Sequence, residues 1–341
     1  MTRALDDTEV LALIDALSDG GWHSGERLAA VSGISRAALA KRVDHLQDWA
    51  LTVESRAGLG YRLAAPLERL EAEAIRAALP RKLRGALARI EVLPRTDSTN
   101  TRLLEGGADG DPQALFAEMQ TAGRGRRGRE WRSPFAANLY LSLAWSFNAW
   151  PPQVGTLPLT VGVACARALR AVGLDTVRLK WPNDLRVGAR KLGGILIEPR
   201  GETGGTCRVV IGIGLNFAMT PEQAGALDQP WTTVLTALAE AGAAPVSRNT
   251  VAAKLLEALL LALPDYARNG FAPFAPEWNA LDAVAGAAVR LEAPDGNIEG
   301  VACGIDDSGA LLIDSGGRQH RALAGDVSLR LRASSGQENR A

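Results

Sequence analysis

The sequence predicts a multidomain α+β protein, and three patterns along the chain support this fold class. Short amphipathic helices separated by a glycine turn occupy the first part of the chain, and strand and helix patterns alternate through its middle. Towards the C-terminus, short strands are separated by tight turns. A chain of 341 residues with 47% apolar content is long enough for two or three domains, each with its own core.

The N-terminal pattern is that of a helix-turn-helix followed by a hairpin. Residues 8–17 carry an apolar face at helical spacing, and a second helix is expected over residues 24–31. A tight glycine turn then leads into a third helix, which Ser35 caps. Two strand-like runs within residues 51–63 would form the wing of a winged helix-turn-helix domain.

The third helix carries the residues expected to contact DNA. Residues 1–65 nevertheless hold seven Lys and Arg against nine Asp and Glu, a net charge of −2, whereas nucleic-acid-binding domains are usually basic. A small helical protein-interaction module is therefore the alternative interpretation, although the turn chemistry and the wing favour a DNA reader. The candidate DNA-binding residues are Ser35, Arg36, Lys41, Arg42 and His45.

The middle of the chain predicts a connector and then a sheet domain. Residues 66–93, rich in Ala and Arg, are expected to form one or two connecting helices, and no role is assigned to them. Residues 94–283 predict an α+β sheet with helices mainly on one face, because one strand alternates apolar and polar positions. Strands are expected near residues 114–121, 138–145, 177–181, 192–198 and 207–217, and helices near 156–172, 232–241 and 248–267.

Residues 284–334 predict a small β-barrel at the C-terminal end. Three strand-like runs, at residues 289–291, 298–302 and 310–313, are separated by Asp-Gly and Asp-Ser-Gly turns. Residues 335–341 are expected to be a disordered tail.

Composition excludes several classes of protein. Lys and Arg equal Asp and Glu at 38 each, so no global field attracts the chain to nucleic acid or anionic lipid, and a charged partner must be met locally. The 3 cysteines lack C-x-x-C spacing, and no histidine lies between residues 46 and 319, which argues against structural zinc and excludes histidine catalysis from the central chain. Because no long apolar stretch occurs, a soluble cytoplasmic protein without a membrane span is expected.

The most informative stretch is residues 123–129, in which four arginines interleave with three glycines directly after a strand-like run. We call this stretch the arginine loop. Glycine lets backbone N–H groups approach an anion, and arginine supplies forked donors that match phosphate or carboxylate. The run also spells G-x-G-x-x-G, but a dinucleotide fold is disfavoured because Pro134 ends any helix and no acidic residue lies between Glu130 and Asp175. A strongly negative ligand is predicted here, with a solvated basic loop or a nucleic-acid patch as the alternative.

Four further segments have patterns suited to a ligand site. Residues 97–100 offer hydroxyl and amide groups for a polar head group, although alone this pattern is more typical of a helix cap. Residues 180–184 end one strand at a Trp-Pro bend, and residues 190–195 begin the next with Lys191 at its mouth. In residues 211–216, two glycines would let a ligand lie against the strand.

In this order, the segments resemble the biotin protein ligase family, and the resemblance covers nearly the whole chain. The N-terminal His-Ser-Gly-Glu and Ser-Arg-Ala-Ala runs are similar to the bifunctional branch, in which the ligase also represses the biotin operon. One departure is the predicted wing, where Leu59 stands in place of an expected basic residue. The motifs are the arginine loop with Trp131, Asn138-Leu-Tyr, Lys180-Trp-Pro-Asn-Asp184, Arg190-Lys-Leu-Gly-Gly-Ile195 and Gly212-x-Gly-x-Asn216.

The resemblance implies a winged helix-turn-helix domain, a central domain of the class II synthetase type and an SH3-like C-terminal barrel. It implies that biotin and MgATP give biotinyl-5′-adenylate and pyrophosphate, and that a lysine of a biotin carboxyl carrier protein then takes the biotin. The implied partners are this carrier protein, biotin operator DNA and a second copy of the chain in an adenylate-bound homodimer. The alternatives are a ligand-sensing DNA-binding regulator without turnover and a lipoate-type ligase on the same fold.

The resemblance also assigns roles to matching residues. Lys191 would neutralise the reacting carboxylate and the α-phosphate, and Arg124 and Arg126 would act with it as catalytic residues. Asp184 would assist as a metal ligand or as a partner of the acceptor lysine, with Mg²⁺ entering on ATP rather than held at a fixed protein site. The biotin-binding set is Ser98, Thr99, Asn100, Gln120, Gly123, Arg124, Gly125, Arg126, Lys191, Gly194 and Gly212. The ATP and adenylate set is Arg126, Arg127, Lys191, Asn216 and Trp231.

Overall fold

A computed structural model of the chain describes residues 7–106, 110–201, 205–227, 229–293, 296–323 and 328–331. The tail predicted at residues 335–341 lies outside them. No helix in the described ranges is both long and apolar enough to span a bilayer.

The helices are α1 (Asp7–Leu17), α2 (Gly25–Val31), α3 (Arg36–His45), α4 (Ala72–Ala78), α5 (Thr99–Glu105), α6 (Leu157–Arg170), α7 (Pro221–Ala224), α8 (Val234–Glu240), α9 (Arg248–Asn269) and α10 (Ala275–Ala280). The strands are β1 (Val53–Arg56), β2 (Gly60–Leu63), β3 (Arg89–Leu93), β4 (Gln113–Ala117), β5 (Asn138–Phe147), β6 (Val177–Lys180), β7 (Asp184–Val187), β8 (Arg190–Arg200), β9 (Cys207–Asn216), β10 (Ala288–Ala293), β11 (Gly296–Ile305), β12 (Leu311–Ser315), β13 (Arg318–Ala322) and β14 (Ser328–Leu331).

Three helices and a hairpin form the first structural unit, in the order that the sequence predicts. Ser24 caps α2 and Ser35 caps α3, each by accepting a hydrogen bond from a backbone amide of the first turn. Strands β1 and β2 pair antiparallel. The hairpin passes so close to α2 that a Cβ on Gly60, whose φ is 99°, would collide with the carbonyl oxygen of His23. Only glycine fits at this position.

The segment predicted as a connector, residues 66–93, is built into the central core. Its strand β3 pairs in parallel with β4, and its helix α4 packs on β3 and α9. The boundary expected at residue 94 therefore divides elements that share one core. The short strand was missed because an Ala- and Arg-rich composition hides five residues of β character. The segment contributes Leu70, Ile75, Leu79 and Leu87 to the buried cluster of the central sheet.

Seven strands form the central sheet in the order β3-β4-β5-β9-β8-β7-β6, and only β3 and β4 run parallel. All the strands predicted for this domain are present, and β3 and β7 are additions. Leu139, Leu141 and Leu143 of β5 are buried in the cluster formed with α6 and α9. The alternate residues of β5, among them Tyr140 and Ser142, face the opposite side, where α5 packs. The predicted coverage of one face by helices is confirmed.

Five antiparallel strands form the C-terminal sheet, in the order β13-β12-β11-β10-β14. The three predicted runs correspond to β10, β11 and β12. Val289, Leu311 and Leu329 of this sheet lie in the same buried cluster as the central helices. The indole nitrogen of Trp181 also donates to the carbonyl of Gly309 at 3.2 Å. The two sheets are therefore joined by a continuous core and by hydrogen bonds beside the β6–β7 turn.

A buried ion pair between Arg248 and Glu118 joins α9 to the central sheet. The two side chains are 2% and 0% exposed. One terminal nitrogen of Arg248 donates to Glu118 at 2.7 Å and to the carbonyl of Asn138 at 3.0 Å, and the other donates to the carbonyl of Glu68 at 2.6 Å. The second oxygen of Glu118 accepts the amide of Leu70 at 2.6 Å. Hydrogen bonds of this kind compensate charges that have lost their hydration.

Replacing Arg248 with methionine should lower the free energy of unfolding by about 3–5 kcal/mol, because Glu118 would be left as an uncompensated buried charge. Urea denaturation followed by circular dichroism measures the loss. Arg268→Met removes an exposed cation that lies 3.8 Å from its partner, and as the control it should cost less than about 1 kcal/mol. Equal losses in the two variants would contradict the structural role of the buried pair.

Candidate functional site

A pocket on the α5 side of the central sheet brings the predicted ligand residues together. It lies between the arginine loop, the pocket-facing residues of β5, β8 and β9, and the end of β14. Gly123 is the exception, because it lies behind the lining, where a Cβ would be 2.6 Å from the carbonyl oxygen of Trp131. The predicted residues that line the pocket are Ser98, Thr99, Asn100, Gln120, Arg124, Gly125, Arg126, Arg127, Asp184, Lys191, Gly194, Gly212, Asn216 and Trp231.

Two paired glycines and an indole ring form one wall of the pocket. Gly194 of β8 and Gly214 of β9 are register partners. The ring of Trp131 lies against both, so that a Cβ on Gly214 would collide with it and one on Gly194 would lie 3.3 Å away. Lys191 Nζ lies 5.5 Å from the centre of the same ring. The glycines therefore admit an aromatic side chain of the protein, which sequence reasoning did not include in the ligand set.

Gly212 makes room for the side chain of Asn100, since a Cβ there would collide with the amide oxygen of Asn100. The expectation that this glycine leaves the strand open to a ligand is corrected by this contact. The hydroxyl of Ser142 lies 2.6 Å from the Asn100 oxygen and 2.7 Å from the hydroxyl of Thr99. Ser142 is fully buried and was missed, because a serine within an alternating strand carries no signal of its own.

Gln120 and Ser98 hold the start of α5 beside the pocket. The side-chain oxygen of Gln120 accepts from the amide and the hydroxyl of Thr99 at 2.9 and 3.1 Å, and its nitrogen donates to Ser133 at 3.1 Å. Ser98 is the N-cap of α5, with its hydroxyl 3.5 Å from the amide of Thr101. The predicted helix cap is therefore present at Ser98, and residues 98–100 also line the pocket.

The arginine loop is a short hairpin rather than the start of an α-helix. Its stem is closed by hydrogen bonds from Gly125 N to Arg129 O at 2.7 Å and from Trp131 N to Gly123 O at 2.8 Å. Arg127 at the tip has a φ of 58°, in the left-handed region. This geometry lacks the helix that a dinucleotide-binding loop requires. Two of its arginines contact other elements, Arg124 at Glu198 and Arg126 at Asn183, at 3.2 Å in each case.

Lys191 and Asp184 form an ion pair inside the pocket. The ammonium lies 2.8 Å from the carboxylate, and the side chains are only 14% and 16% exposed. The lysine that Asp184 faces in the structure is thus Lys191 of the chain itself. Within the described ranges, no cluster of three or more His, Cys, Asp or Glu residues that could hold a metal ion is present.

Asn216 organises the backbone around Lys191. Its side-chain nitrogen lies 3.4 Å from the carbonyl of Lys191 and donates to the carbonyl of Thr232 at 3.2 Å. The amide of Lys191 in turn donates to Pro230 O at 2.8 Å, which holds the segment containing Trp231 beside β8. The contacts of this asparagine are therefore with the protein backbone at the pocket rim.

Lys180 also lines the pocket, although it is not among the predicted ligand residues. Its ammonium donates to the carbonyl of Leu329 on β14 at 2.6 Å, which ties the C-terminal sheet to the pocket. Burial lowers the pKa of Lys180 from 10.5 to about 8, and the charge of Asp184 opposes this shift. Arg330 lines the pocket beside it. A contact between β6 and β14 is too distant in sequence for a local pattern to reveal.

The predicted DNA-binding residues divide into two groups on α3. Arg36 and Lys41 are exposed. Arg42 is half-buried and donates to Glu9 of α1 at 2.9 Å, while His45 is hydrogen-bonded to Asp48 at 3.0 Å. The hydroxyl of Ser35 serves as the helix cap. Of the four predicted basic residues, only Arg42 is therefore largely withdrawn from solvent, while Arg36, Lys41 and His45 are exposed.

Comparison with known proteins gives consistent matches. Residues 92–216 match the biotin/lipoate A/B protein ligase family, and residues 285–330 match the biotin protein ligase C-terminal domain. The bifunctional ligase/repressor BirA of Escherichia coli K12 is 43% identical over 326 residues, which cover 95% of this chain and 98% of that protein. The biotin–[acetyl-CoA-carboxylase] ligase of Mycobacterium tuberculosis is 38% identical over 246 residues, covering 70% and 88%. The Aquifex aeolicus biotin protein ligase, solved in complex with biotin and ATP, is 27% identical with a TM-score of 0.61, covering 72% of this chain and 100% of that chain.

The depressed pKa of Lys180 should be visible by NMR of protein labelled at lysine Cε. We expect one resonance to titrate near pH 8 and to be absent from Lys180→Arg. Because the unfolded chain binds this proton up to about pH 10.5 and the folded chain only to about 8, the lysine disfavours folding below pH 8, and this penalty is relieved as the pH rises towards 10.5. A midpoint above 10 for the Lys180 resonance would contradict its burial.

Proposed function

Because the chain belongs to the biotin protein ligase family, we propose that its pocket binds biotin and ATP, forms biotinyl-5′-adenylate and transfers biotin to a lysine of a biotin carboxyl carrier protein. The chain is thus an ATP-dependent biotin ligase, and it is also a transcriptional repressor of the biotin operon. The observation that carries the enzymatic function is the convergence of the arginine loop, Lys191 and the glycine wall on one pocket.

The bicyclic ring of biotin is assigned to the end of the pocket near α5. A ureido group has both donors and acceptors, and the hydroxyl and amide groups of Ser98, Thr99, Asn100 and Gln120 supply both kinds. Hydrogen bonds between Thr99 and Gln120, and from Asn100 to Glu198, hold these side chains in place before a ligand arrives. Gly194 and Gly212 are assigned to this site because they let the indole ring of Trp131 and the Asn100 side chain lie against the strands, and Gly123 and Gly125 are assigned to it as part of the loop, where Gly123 lets the backbone of Trp131 approach closely.

The reacting end of the pocket is assigned to Lys191, with Arg126 and Arg127 from the loop. In the first step, an oxygen of the biotin carboxylate attacks the α-phosphorus of ATP and pyrophosphate leaves. Two anions must be held together during this step, and cations aimed at the developing charge lower its barrier. A loop that closes over the mixed anhydride would exclude water from it. Asn216 and Trp231, which lie beside the backbone of Lys191, are assigned to the nucleotide.

Asp184 is assigned to the second step and is the candidate Mg²⁺ ligand. The acceptor amine of the carrier protein must lose a proton as it attacks the acyl carbon and AMP leaves, and a carboxylate can accept this proton. Proteins commonly hold Mg²⁺ with one or two carboxylates and the substrate phosphates, and the Asp184 carboxylate in the pocket fits a metal that arrives with ATP. When bound, the metal would neutralise phosphate charge.

For the domains, we propose a winged helix-turn-helix over residues 1–65, a class II synthetase-type ligase domain that includes most of residues 66–283, and an SH3-like barrel over residues 284–334. Assigning the connector to the ligase domain follows from the pairing of β3 with β4. Arg36 and Lys41 on the exposed face of α3 are the DNA contacts that the geometry favours.

Repression requires a structural link between the ligand site and the DNA-binding domain, and residues just before and just after the arginine loop pack against that domain. Trp49, which follows α3, meets Phe135 edge-on with ring centres 4.9 Å apart. Phe135 and Ala136 lie in the same buried cluster as the N-terminal helices, and Met119 packs against it. We propose that adenylate orders the loop, promotes a homodimer through the central domain and thereby acts as corepressor for a two-fold operator.

Lys191→Ala should slow single-turnover formation of biotinyl-adenylate by about tenfold or more, because a charge-assisted hydrogen bond contributes ~1.5–3 kcal/mol. Rapid quench with labelled ATP measures the rate. Lys254→Ala removes a lysine that pairs with Glu257 on α9 and is the control, with an expected normal rate. An unchanged rate in Lys191→Ala would refute the catalytic role. Adenylation of lipoate but not biotin by the wild-type protein would instead favour the lipoate alternative.

Biotinyl-adenylate should strengthen both dimerisation and operator binding. Sedimentation and DNA-binding titrations, with and without the adenylate, measure the two effects. Lys41→Ala should weaken operator binding by about fivefold or more, because it removes a DNA contact, while dimerisation and adenylation stay normal. Equal dimerisation constants with and without ligand, or operator binding that ignores the ligand, would refute the coupling and favour an enzyme without this form of repression.

A further inference from the structure

Glu198 lies where the floor of the pocket meets the arginine loop. It belongs to β8, and its side chain lies on the same face of the strand as Gly194 and Leu196. One of its oxygens accepts from the side-chain nitrogen of Asn100 at 2.8 Å. Both oxygens accept from Arg124 Nη2, at 3.2 and 3.3 Å. No role for this carboxylate follows from the sequence motifs, because neither partner is near it in the chain.

The carboxylate fixes the orientation of the Asn100 amide. A carboxylate only accepts hydrogen bonds, so the nitrogen of the amide must face Glu198 and the oxygen must face Ser142. The carbonyl of Leu196, 3.3 Å from the same nitrogen, supports this orientation. Asn100 fills the space above Gly212 and is 3% exposed. Replacing Asn100, or rotating its amide so that the oxygen faced Glu198, would therefore disturb the part of the pocket to which the biotin ring is assigned.

The same carboxylate anchors the stem of the arginine loop. Arg124 donates to Glu198 and also to the hydroxyl of Thr101 on α5 at 3.1 Å. Its backbone forms a bridge with Glu130 at the base of the hairpin. The side chain of Arg124 thus ties the hairpin to α5 and β8. A guanidinium that already faces a carboxylate has less charge to offer a phosphate.

We infer that Glu198 is a positioning residue of the ligase. It joins the side chain of Asn100, at the proposed site of the biotin ring, to the side chain of Arg124 in the arginine loop, so that these two parts of the site are held in a fixed relative position. Arg124 then serves as the anchor of the loop, and the phosphate is left to the cations nearer the tip and to Lys191. This inference rests on the proposed function for its effect on biotin, but the anchoring itself exists without any ligand. Loss of Glu198 should therefore weaken biotin binding and leave the chemical step largely intact.

The anchoring can be tested on the ligand-free protein by hydrogen exchange and mass spectrometry. In Glu198→Ala, amides of residues 121–131 should exchange at least threefold faster, because the hairpin loses its tie to β8. Glu277→Ala is the matched control, since Glu277 pairs with Arg167 at similar exposure, 30% and 48% against 26% and 44%, on helices away from the pocket. Unchanged exchange in Glu198→Ala would overturn the inference, whatever the protein does with biotin.

The functional consequence is tested by calorimetry and steady-state kinetics on the full chain. Glu198→Ala should raise the Kd for biotin about tenfold, the factor for one lost hydrogen bond to a charged group, and change kcat less than twofold. Glu198→Gln can still accept from Asn100, so a rise of about threefold is expected. In a double-mutant cycle, Arg124→Ala should have a smaller effect on Kd in the Glu198→Ala background than alone.

Two results would overturn the positioning role: an unchanged Kd in both Glu198 variants, or a fall in kcat with Kd preserved, which would place Glu198 in the chemistry. Equal thermal unfolding midpoints for Glu198→Gln and Glu277→Gln would show that a change in the Kd for biotin comes from the site and not from a loss of overall stability. Failure of the wild-type protein to bind biotin would refute the proposed function instead, and the exchange experiment would still decide whether Glu198 holds the loop.

Discussion

The buried pair of Arg248 and Glu118 is the constraint on which the arrangement of the chain depends. It joins the first residue of α9 to the end of β4, and its remaining hydrogen bonds reach the backbone of Glu68, Leu70 and Asn138. Since an unpaired charge in this position is strongly unfavourable, these segments are fixed together rather than one by one. Gln120 follows Glu118 by two residues, so the ion pair also sets where the arginine loop begins.

The return of the loop is fixed from the other side, by the N-terminal unit. Phe135 and Ala136 are buried with the N-terminal helices, and the Trp49 ring closes on Phe135. The chain is therefore fixed on both sides of the arginine loop. The buried ion pair of Arg248 and Glu118 fixes it before the loop, and the packing of Phe135 and Ala136 on the N-terminal helices fixes it after the loop. Through the contact of Phe135 with Trp49, the arginine loop is connected to the end of α3. A ligase without repression would not require this connection.

Local patterns in the sequence predicted most of the elements, but not β3, β7, β13 or β14, and they predicted many of the residues that line the pocket. The alternation in β5 predicted a two-faced sheet. The two glycines of β9 were expected to let a ligand lie against the strand, but Asn100 fills the space at Gly212 and the ring of Trp131 fills it at Gly214. Contacts between distant segments could not be predicted, because no local periodicity reports them. Glu198 with Arg124, Lys180 with Leu329 and Arg42 with Glu9 are of this kind. They decide which charges reach a ligand.

The cations of the pocket are held by protein acceptors before any ligand is present. Lys191 faces Asp184, Arg124 faces Glu198 and Lys180 faces the carbonyl of Leu329. Each of these long side chains loses up to ~2 kcal/mol of rotamer freedom when it is ordered, and here that loss occurs on folding rather than on binding. An arriving carboxylate or phosphate must in exchange compete with the acceptor already in place. For Lys191 this competition bears on the role proposed for Asp184: under that proposal, an anionic ligand that draws the ammonium away would leave the Asp184 carboxylate able to receive the proton of the acceptor amine.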